Sequence, residues 1–444
     1  MKFFSRFSAC LFVAATTLTL GSLVSAQDLP NMGVTLNSEV TGNVEFWHHW
    51  GSPVRRTAIR RVVAMCQQAL PNITIEEVFK PFGEGWTANI AAVAAGSGMP
   101  DVIVSDRLQL PRDASDGIYQ DLAPWIERDG IVAEDWYPFA WEQGLYEGGN
   151  YGLSHETDVR VMFYNKTLFT EAGLDPNNPP ETWEELTAAA DALDIIAEDG
   201  TIERMGFFPL INIGPDIWAL TNGQVFVQDG KVVLDSPEMA GTVEWIKSWV
   251  DRYGGWEKIQ EFRATFGAPP NDAFMSGRVA IVSDIAGYLS QLNFYRPRTT
   301  LADGSAVNTD IGVATLPYGS TPASWSGGFS FSIPSGAENA EAGWEFIKCA
   351  TGPVGQASWA RDTYAIPSRV AAANDPVLMA DPNWQFFVQA MDLSQSSEFV
   401  AAYPNYMEQF NQRAEQIWLG QMTVEDALAE AQTAIDEAVA NAAP

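Results

Sequence analysis

Apolar and polar positions alternate in blocks along this chain, and the blocks change period in a regular way. Positions 44–47 are a short apolar run fit for a strand. Ser52-Pro53 then supplies a helix cap and a first helical residue. Ile59, Val62, Val63, Cys66 and Leu70 recur at helical spacing, so a helix is expected to about Leu70. Pro71-Asn72 ends it, and 73–79 reads as the next strand. Positions 85–95 are helical, Gly96 to Pro100 breaks them, and 101–104 is a third short apolar strand. Strand–helix–strand–helix–strand predicts a doubly wound α/β unit. The pattern returns with different contents. Strands are expected at 151–153 and 159–164, then a capping box at Thr182 and Glu185 opens a helix. Further strands are expected at 279–282, 311–314 and 329–333, and helices at 340–350 and 423–440. No solenoid period is present.

The first 26 residues stand apart. Lys2 and Arg6 precede an apolar stretch from Phe7 to Leu20, and Val24-Ser25-Ala26 ends in small residues. This is the pattern of a secretory signal peptide cleaved after Ala26. The stretch falls short of the ~20 residues a membrane-spanning helix needs. Cys10 lies inside it, leaving Cys66 and Cys349 in the mature chain. An oxidising compartment permits their pairing, but sequence gives no distance, and two buried free thiols remain the other reading.

Charge narrows the partners. The chain has 444 residues with 25 Lys and Arg against 56 Asp and Glu, a formal net charge of −31. That excludes a nucleic-acid footprint and docking on anionic lipid. The length suggests two or three core-sized units. There are 16 Trp, more than packing alone calls for, so aromatic recognition is a candidate. Trp183, Trp245, Trp249 and Trp344 lie on helix faces and are expected in the core.

Catalytic and metal motifs are sparse. The three His are His48, His49 and His155; the adjacent pair points to opposite sides of a strand and suits one metal poorly. No GxSxG, P-loop or dinucleotide fingerprint appears. A carboxylate pair for glycoside hydrolysis has no local motif, yet an acidic, Trp-rich secreted chain keeps a glycoside hydrolase or lyase open. A surface adhesin is a further rival.

Several segments, taken in order, resemble the extracellular solute-binding proteins of sugar ABC transporters, the maltose-binding and glycerol-phosphate-binding type. They are Phe46-Trp47-His48-His49-Trp50, Gly98-Met99-Pro100-Asp101-Val102 and Tyr151-Gly152-Leu153 with Phe163-Tyr164-Asn165-Lys166. Ala172-Gly173-Leu174-Asp175-Pro176 and Pro180-Glu181-Thr182-Trp183-Glu184-Glu185-Leu186 continue the match. So do Ala273 to Ala280, Ser326-Gly327-Gly328, Ala342 to Lys348 and Tyr364 to Arg369.

The resemblance implies an α/β fold of the periplasmic binding protein type II class, with two doubly wound α/β lobes joined by a multi-crossing hinge. Lobe I would be 27–155 plus 310–358, and lobe II 156–309 plus 359–444. It implies a periplasmic monomer without cofactor or catalytic step. Such a protein takes a carbohydrate in the interlobe cleft and delivers it to membrane permease subunits. Sugar hydroxyls need planar polar partners, and C–H faces need an aromatic plane. By strand-end position and resemblance the expected ligand set is His49, Trp50, Ser105, Asp106, Asp158, Arg160, Trp218, Ser283, Asp284, Tyr288, Tyr364 and Arg369. Gly327 and Gly328 permit close backbone approach. The other ligand within this class is glycerol 3-phosphate or a glycerophosphodiester, because Arg55, Arg56, Arg60 and Arg61 cluster on the first helix.

Overall fold

The computed structural model describes residues 30–395 and 406–442. The expected leader at 1–26 lies outside the described residues. Two sheets organise the chain. The first runs Ile366–Pro367, Leu153–Thr157, Gly328–Ser332, Val102–Asp106, Gly42–His48 and Ile73–Phe79 in spatial order. Its last three strands are parallel, with Phe46 opposite Val102 and Gly42 opposite Ile73. This is the doubly wound start that the alternating pattern predicts. The second sheet runs Ile311–Thr315, Arg160–Asn165, Val279–Ile285, Ile202–Phe207 and Ile195–Ile196. Arg160–Asn165 is antiparallel to both of its neighbours, pairing Phe163 with Val282 and with Val313.

Each sheet buries its own core. Val44, Phe46, Val102, Val104 and Phe331 pack under the helices Pro53–Ala69 and Ala340–Ala350 of the first unit. Val161, Phe163, Met205, Phe207 and Ile281 pack under Trp183–Leu193 and Pro237–Arg252 of the second. Strands buried on both faces read as continuous apolar runs, which is why these segments were visible as short blocks. The Thr182 capping box forms with Glu185. Trp249 and Trp344 are core residues, and Trp183 stacks on Trp245 with ring centroids 4.0 Å apart.

Cys66 and Cys349 are joined as a disulfide, with Cα atoms 5.8 Å apart. The bond ties Pro53–Ala69 to Ala340–Ala350 inside the first core.

Sheet membership differs from the expected boundaries. Ile311–Thr315 was expected with the first unit, but its backbone pairs antiparallel with Arg160–Asn165 in the second sheet. Ile366–Pro367 was expected with the second unit, yet pairs with Thr157 and Glu156 in the first. Two-residue and edge strands carry too little pattern for sequence to place them. The chain passes between the sheets at Asp158 and between Thr315 and Gly328, and beyond Pro367 it returns to the second core through Ala372, Trp384, Phe410 and Leu428. Among the described residues no helix is long and apolar enough to cross a membrane.

Candidate ligand-binding cleft

The carboxyl ends of Gly42–His48, Val102–Asp106 and Leu153–Thr157 open toward the start of Arg160–Asn165 and the end of Val279–Ile285. In α/β sheets such ends form the ligand crevice. Arg160 sits at the meeting point. It interacts electrostatically with Asp106 of the first sheet, with Asp284 of the second and with Asp216 at the start of the helix Pro215–Thr221. Its guanidinium pairs with Asp158 at 2.5 Å and lies over the Trp325 ring, 4.7 Å from its centroid. Asp158 also accepts from the Gly327 N–H at 3.1 Å, so this carboxylate links two chain crossings.

The carboxylates keep acceptor capacity. Asp106 Oδ1 accepts from the Leu108 N–H at 2.9 Å, and its other oxygen has no protein donor among the described residues. Asp284 accepts from the Ile285 N–H at 2.7 Å and from Asn212 Nδ2 at 2.9 Å. An ionised carboxylate offers about four acceptor sites. Burial pushes the Asp284 carboxyl up to about 6, and burial likewise raises Asp106 and Asp216. A hydroxyl donor arriving there would replace lost water.

The edge of the first sheet is aromatic. His49 packs on Phe329 with centroids 4.4 Å apart, on Phe82 at 5.1 Å and on Trp86 at 5.7 Å. Burial holds the His49 imidazole down at about 3, with the Arg55 charge acting the same way, so it is neutral. Phe329 stands opposite Asp106 in the ladder, which sets the aromatic rim beside the charged group. Trp86 donates its Nε1–H to the Val104 carbonyl at 2.7 Å, fixing its ring.

The structure therefore brings together His49, Asp106, Asp158, Arg160 and Asp284 from the expected set. Others belong elsewhere. Trp50 is 1% exposed, its ring folded back against Trp359 at 4.4 Å and over His48. Trp218 is fully buried, because the expected loop is the helix Pro215–Thr221 and its indole donates inward to the Pro209 carbonyl. Ser105 lies within its strand, which continues to Asp106, and bonds the Ser332 hydroxyl at 2.7 Å. Ser283 is likewise buried within a strand extending to Ile285. Tyr288 packs on Phe163 and donates to Asp272. Arg369 is buried in the first unit, pairing with Asp135 and covering Trp136 at 3.7 Å. Tyr364 is half-buried, its hydroxyl donating to Asp381 and its ring near Trp384 and Phe387. Gly327 and Gly328 do permit a close approach, but of the chain's own groups. Gly328 has φ 140°, and a Cβ there would lie 2.2 Å from the Glu156 carbonyl oxygen.

Four groups were missed. Phe82, Trp86 and Phe329 build the rim, and Arg107 stands behind it. Arg107 is fully buried and donates to Thr157 Oγ1 at 3.1 Å and to the Gly327 carbonyl. Burial lowers its pKa to about 10. The signal for Phe82 was present: an aromatic between Pro81 and Gly83, four residues before Trp86 at a helix start.

Comparison with known proteins gives the family and the fold. A family model described as bacterial extracellular solute-binding protein matches residues 61–386. The sn-glycerol-3-phosphate-binding periplasmic protein of Agrobacterium fabrum is 24% identical over 317 residues, 64% of this chain and 63% of that protein. An arabinooligosaccharide-binding protein of Bacillus subtilis is 25% identical over 185 residues, 40% of each chain. The matches thus span under two thirds of these relatives' lengths. A solved structure described as CpMnBP1 with mannotriose bound superposes with a TM-score of 0.79 at 27% identity, covering 89% of this chain and all of that one. That likeness confirms the two-lobed α/β fold of type II.

Proposed function

This chain belongs to the bacterial extracellular solute-binding proteins, and on that premise we propose that it is the carbohydrate receptor of an ABC importer. In this reading it leaves the cytoplasm through the signal peptide at 1–26, acts in the periplasm as a monomer, and hands its ligand to membrane permease subunits. Lobes follow sheet membership: one carries the strands from Gly42–His48 to Leu153–Thr157 with Gly328–Ser332 and Ile366–Pro367, and the other carries Arg160–Asn165 to Ile311–Thr315. The lobes close on the ligand by hinge bending at the crossings. No catalytic step is assigned.

The observation that carries the reading is the pairing of two surfaces. Asp106, Asp158, Arg160 and Asp284 supply planar polar partners for hydroxyls, and His49, Phe82, Trp86 and Phe329 supply apolar faces for C–H groups. A neighbour solved with mannotriose bound and a relative that binds arabinooligosaccharide support the same class.

A second reading rests on Arg55. Its terminal nitrogen lies 3.3 Å from where a Cβ on Gly287 would stand, so it reaches from the first unit to the second. It faces Asp284 and Glu156 without forming an ion pair with either. Glycerol 3-phosphate would use that cation and the adjacent helix start. The surrounding carboxylates oppose a phosphate, which ranks this reading second.

A thermal-shift screen tests both, because a ligand stabilises the fold by RT ln(1 + [L]/Kd). Mono-, di- and trisaccharides of mannose, glucose and arabinose are set against glycerol 3-phosphate and glycerophosphocholine. A shift with sugars alone supports the first reading, and a shift with the phosphates alone replaces it by the second. Hydrolysis of the same sugars by the purified protein would reject the receptor reading.

A further inference from the structure

Five residues other than glycine have positive φ among the described residues: Glu147, Asn212, Asp229, Arg296 and Tyr364. Four of them have a local reason. Glu147 lies in the turn between Leu145–Tyr146 and Gly149–Asn150, and Asp229 in the turn between Val227–Gln228 and Lys231–Val232. Arg296 and Tyr364 cap the C-terminal ends of the helices Tyr288–Tyr295 and Pro353–Thr363. Asn212 has neither reason. It stands at φ 69° in the segment that joins the strand Ile202–Phe207 to the helix Pro215–Thr221. Asparagine tolerates this region better than most side chains, yet the conformation has to be imposed by the surroundings.

Its neighbours impose it. Ile211 and Ile213 are buried in the second core, whereas Asn212 between them is exposed. Asn212 Nδ2 donates to Asp284 Oδ2 at 2.9 Å, the one hydrogen bond its side chain makes among the described residues. Asp284 Oδ1 accepts from the Ile285 N–H at 2.7 Å. Each carboxylate oxygen thus has one donor, which fixes the plane of the group and leaves acceptor capacity on both oxygens. Of the two donors, only Asn212 comes from another segment. The charges that act on Asp284 are Arg160 and Arg55, which favour its ionised form, and Asp272, which opposes it. Neither arginine is ion-paired with Asp284 among the described residues; Arg160 is paired with Asp158. A hydrogen bond to the charged form of a carboxyl favours that form.

Resting on the carbohydrate reading, we propose that Asn212 is a positioning residue of the cleft: its amide orients the Asp284 carboxylate and keeps it an acceptor for a ligand hydroxyl. Asn212 acts through Asp284 and not by touching the ligand. The left-handed turn delivers the amide, and the two buried isoleucines hold the turn. A residue retained only for the turn would be served better by glycine, which adopts positive φ without penalty. Asn212→Gly therefore separates the two roles.

The test combines melting curves, carboxyl 13C NMR of aspartate-labelled protein and titration calorimetry on the wild type, Asn212→Gly and Asn212→Asp. The Asp284 resonance is the one missing from Asp284→Asn. Asn212→Gly should melt at or above the wild-type temperature. Its Asp284 midpoint should still rise, by about half a pH unit. Its affinity at pH 7.5 for whichever of mannotriose, maltotriose and arabinotriose the wild type binds should fall by about fivefold. Asn212→Asp tolerates the turn but faces Asp284 with a like charge, so it should raise the midpoint further and weaken binding more. In the Asp284→Asn background Asn212→Gly should have no further effect on affinity. Should Asn212→Gly melt early, the Asn212→Asp midpoint and the double variant decide. An unchanged midpoint in both variants overturns the inference. So does a midpoint that moves while affinity does not, and so does a loss of affinity that persists in the Asp284→Asn background; both leave the carbohydrate reading standing. Binding of glycerol 3-phosphate and of no sugar removes the carbohydrate reading and this inference with it.

Discussion

The two edges of the cleft solve opposite physical problems. On the first unit the edge is apolar: His49, Phe82, Trp86 and Phe329 support one another through ring contacts, and Phe82 remains in solvent. On the second unit the edge is ionic: Arg160 is ringed by Asp158, Asp216 and Asp284. An aromatic rim gains affinity by removing apolar area from water, about 25 cal/mol per Å², and is indifferent to direction. A partly buried ionic group gains little net energy but fixes orientation, because each oxygen left unpaired is costly. The contrast teaches how one cleft can combine tolerance with selectivity. In the proposed reading the second edge would read the hydroxyl pattern, and the first would accept a flat C–H face.

The contrast extends to the cores beneath. The first unit is stapled by Cys66–Cys349, and the second has no disulfide among its described residues. The second instead carries a denser indole cluster, in which Trp218 lies 5.1 Å from Trp245 and 5.6 Å from Phe207.

The largest expected effect separates core aromatics from rim aromatics. Trp218→Ala removes a fully buried indole and its bond to Pro209, so it should cost about 3–5 kcal/mol of stability through the cavity it leaves. Trp50→Ala should do the same in the first unit. Urea denaturation measures the loss. Ligand affinity of the folded fraction should change less than threefold, and a larger loss would return either indole to the cleft.

Next comes the staple. Cys66→Ala/Cys349→Ala should destabilise by about 2–4 kcal/mol, since the bond closes a long loop in the unfolded chain. Calorimetry should show the first unit melting earlier while the second keeps its transition. A single unchanged transition would show that the staple adds nothing to the difference between the cores.

Arg160→Ala follows. It removes the cation ion-paired with Asp158 and should weaken sugar binding by about 2 kcal/mol, near thirtyfold. Arg160→Lys should recover only part of it, because an ammonium cannot hold the flat position over Trp325. Full recovery with Lys would mean that charge alone matters at this edge.

How far the sequence reached depends on pattern length. The parallel strands and their helices were legible because buried strands are uninterrupted apolar runs and amphipathic helices have a fixed period. The charged edge was legible in part: Asp106 and Asp284 were expected just past strand ends, but Asp106 is the last residue of its strand and Asp284 the last but one, in strands that run further than their apolar cores. The reason is physical. Near the cleft a strand leaves the hydrophobic interior, so polar residues continue the ladder without apolar signal. Ser105 and Ser283 followed their neighbours into the expected set, but residues in a strand alternate sides, and both are turned inward. The rim was not legible because Phe82 stands in a turn, Trp86 on a helix and Phe329 in a strand, and only folding gathers them. Trp50 and Trp218 misled for the converse reason: chain position near a cleft does not fix where a ring points.

The smallest effect tests the contrast by pH. Burial raises the Asp284 carboxyl to about 6, whereas His49 is held at about 3 and stays neutral across the same range. The folded state therefore keeps a proton on Asp284 at pH values where the unfolded chain has released it. That contribution to stability is present at low pH and is lost as pH rises through about 6. On the proposed function affinity should run the other way, because a sugar hydroxyl would donate to the ionised carboxylate. Lowering pH from 7.5 to 5 should weaken binding by about tenfold, or about 1.4 kcal/mol, if the carboxylate must be charged. Asp284→Asn should bind more weakly at pH 7.5 and lose most of the pH dependence, with the remainder belonging to Asp106, whose carboxyl burial also raises. The aromatic edge contributes nothing to this profile. Phe82→Ala should therefore shift the whole affinity curve down without changing its slope, and calorimetric titration at four pH values reads both behaviours. A slope that disappears with Phe82→Ala and persists in Asp284→Asn would reverse the roles assigned to the two edges.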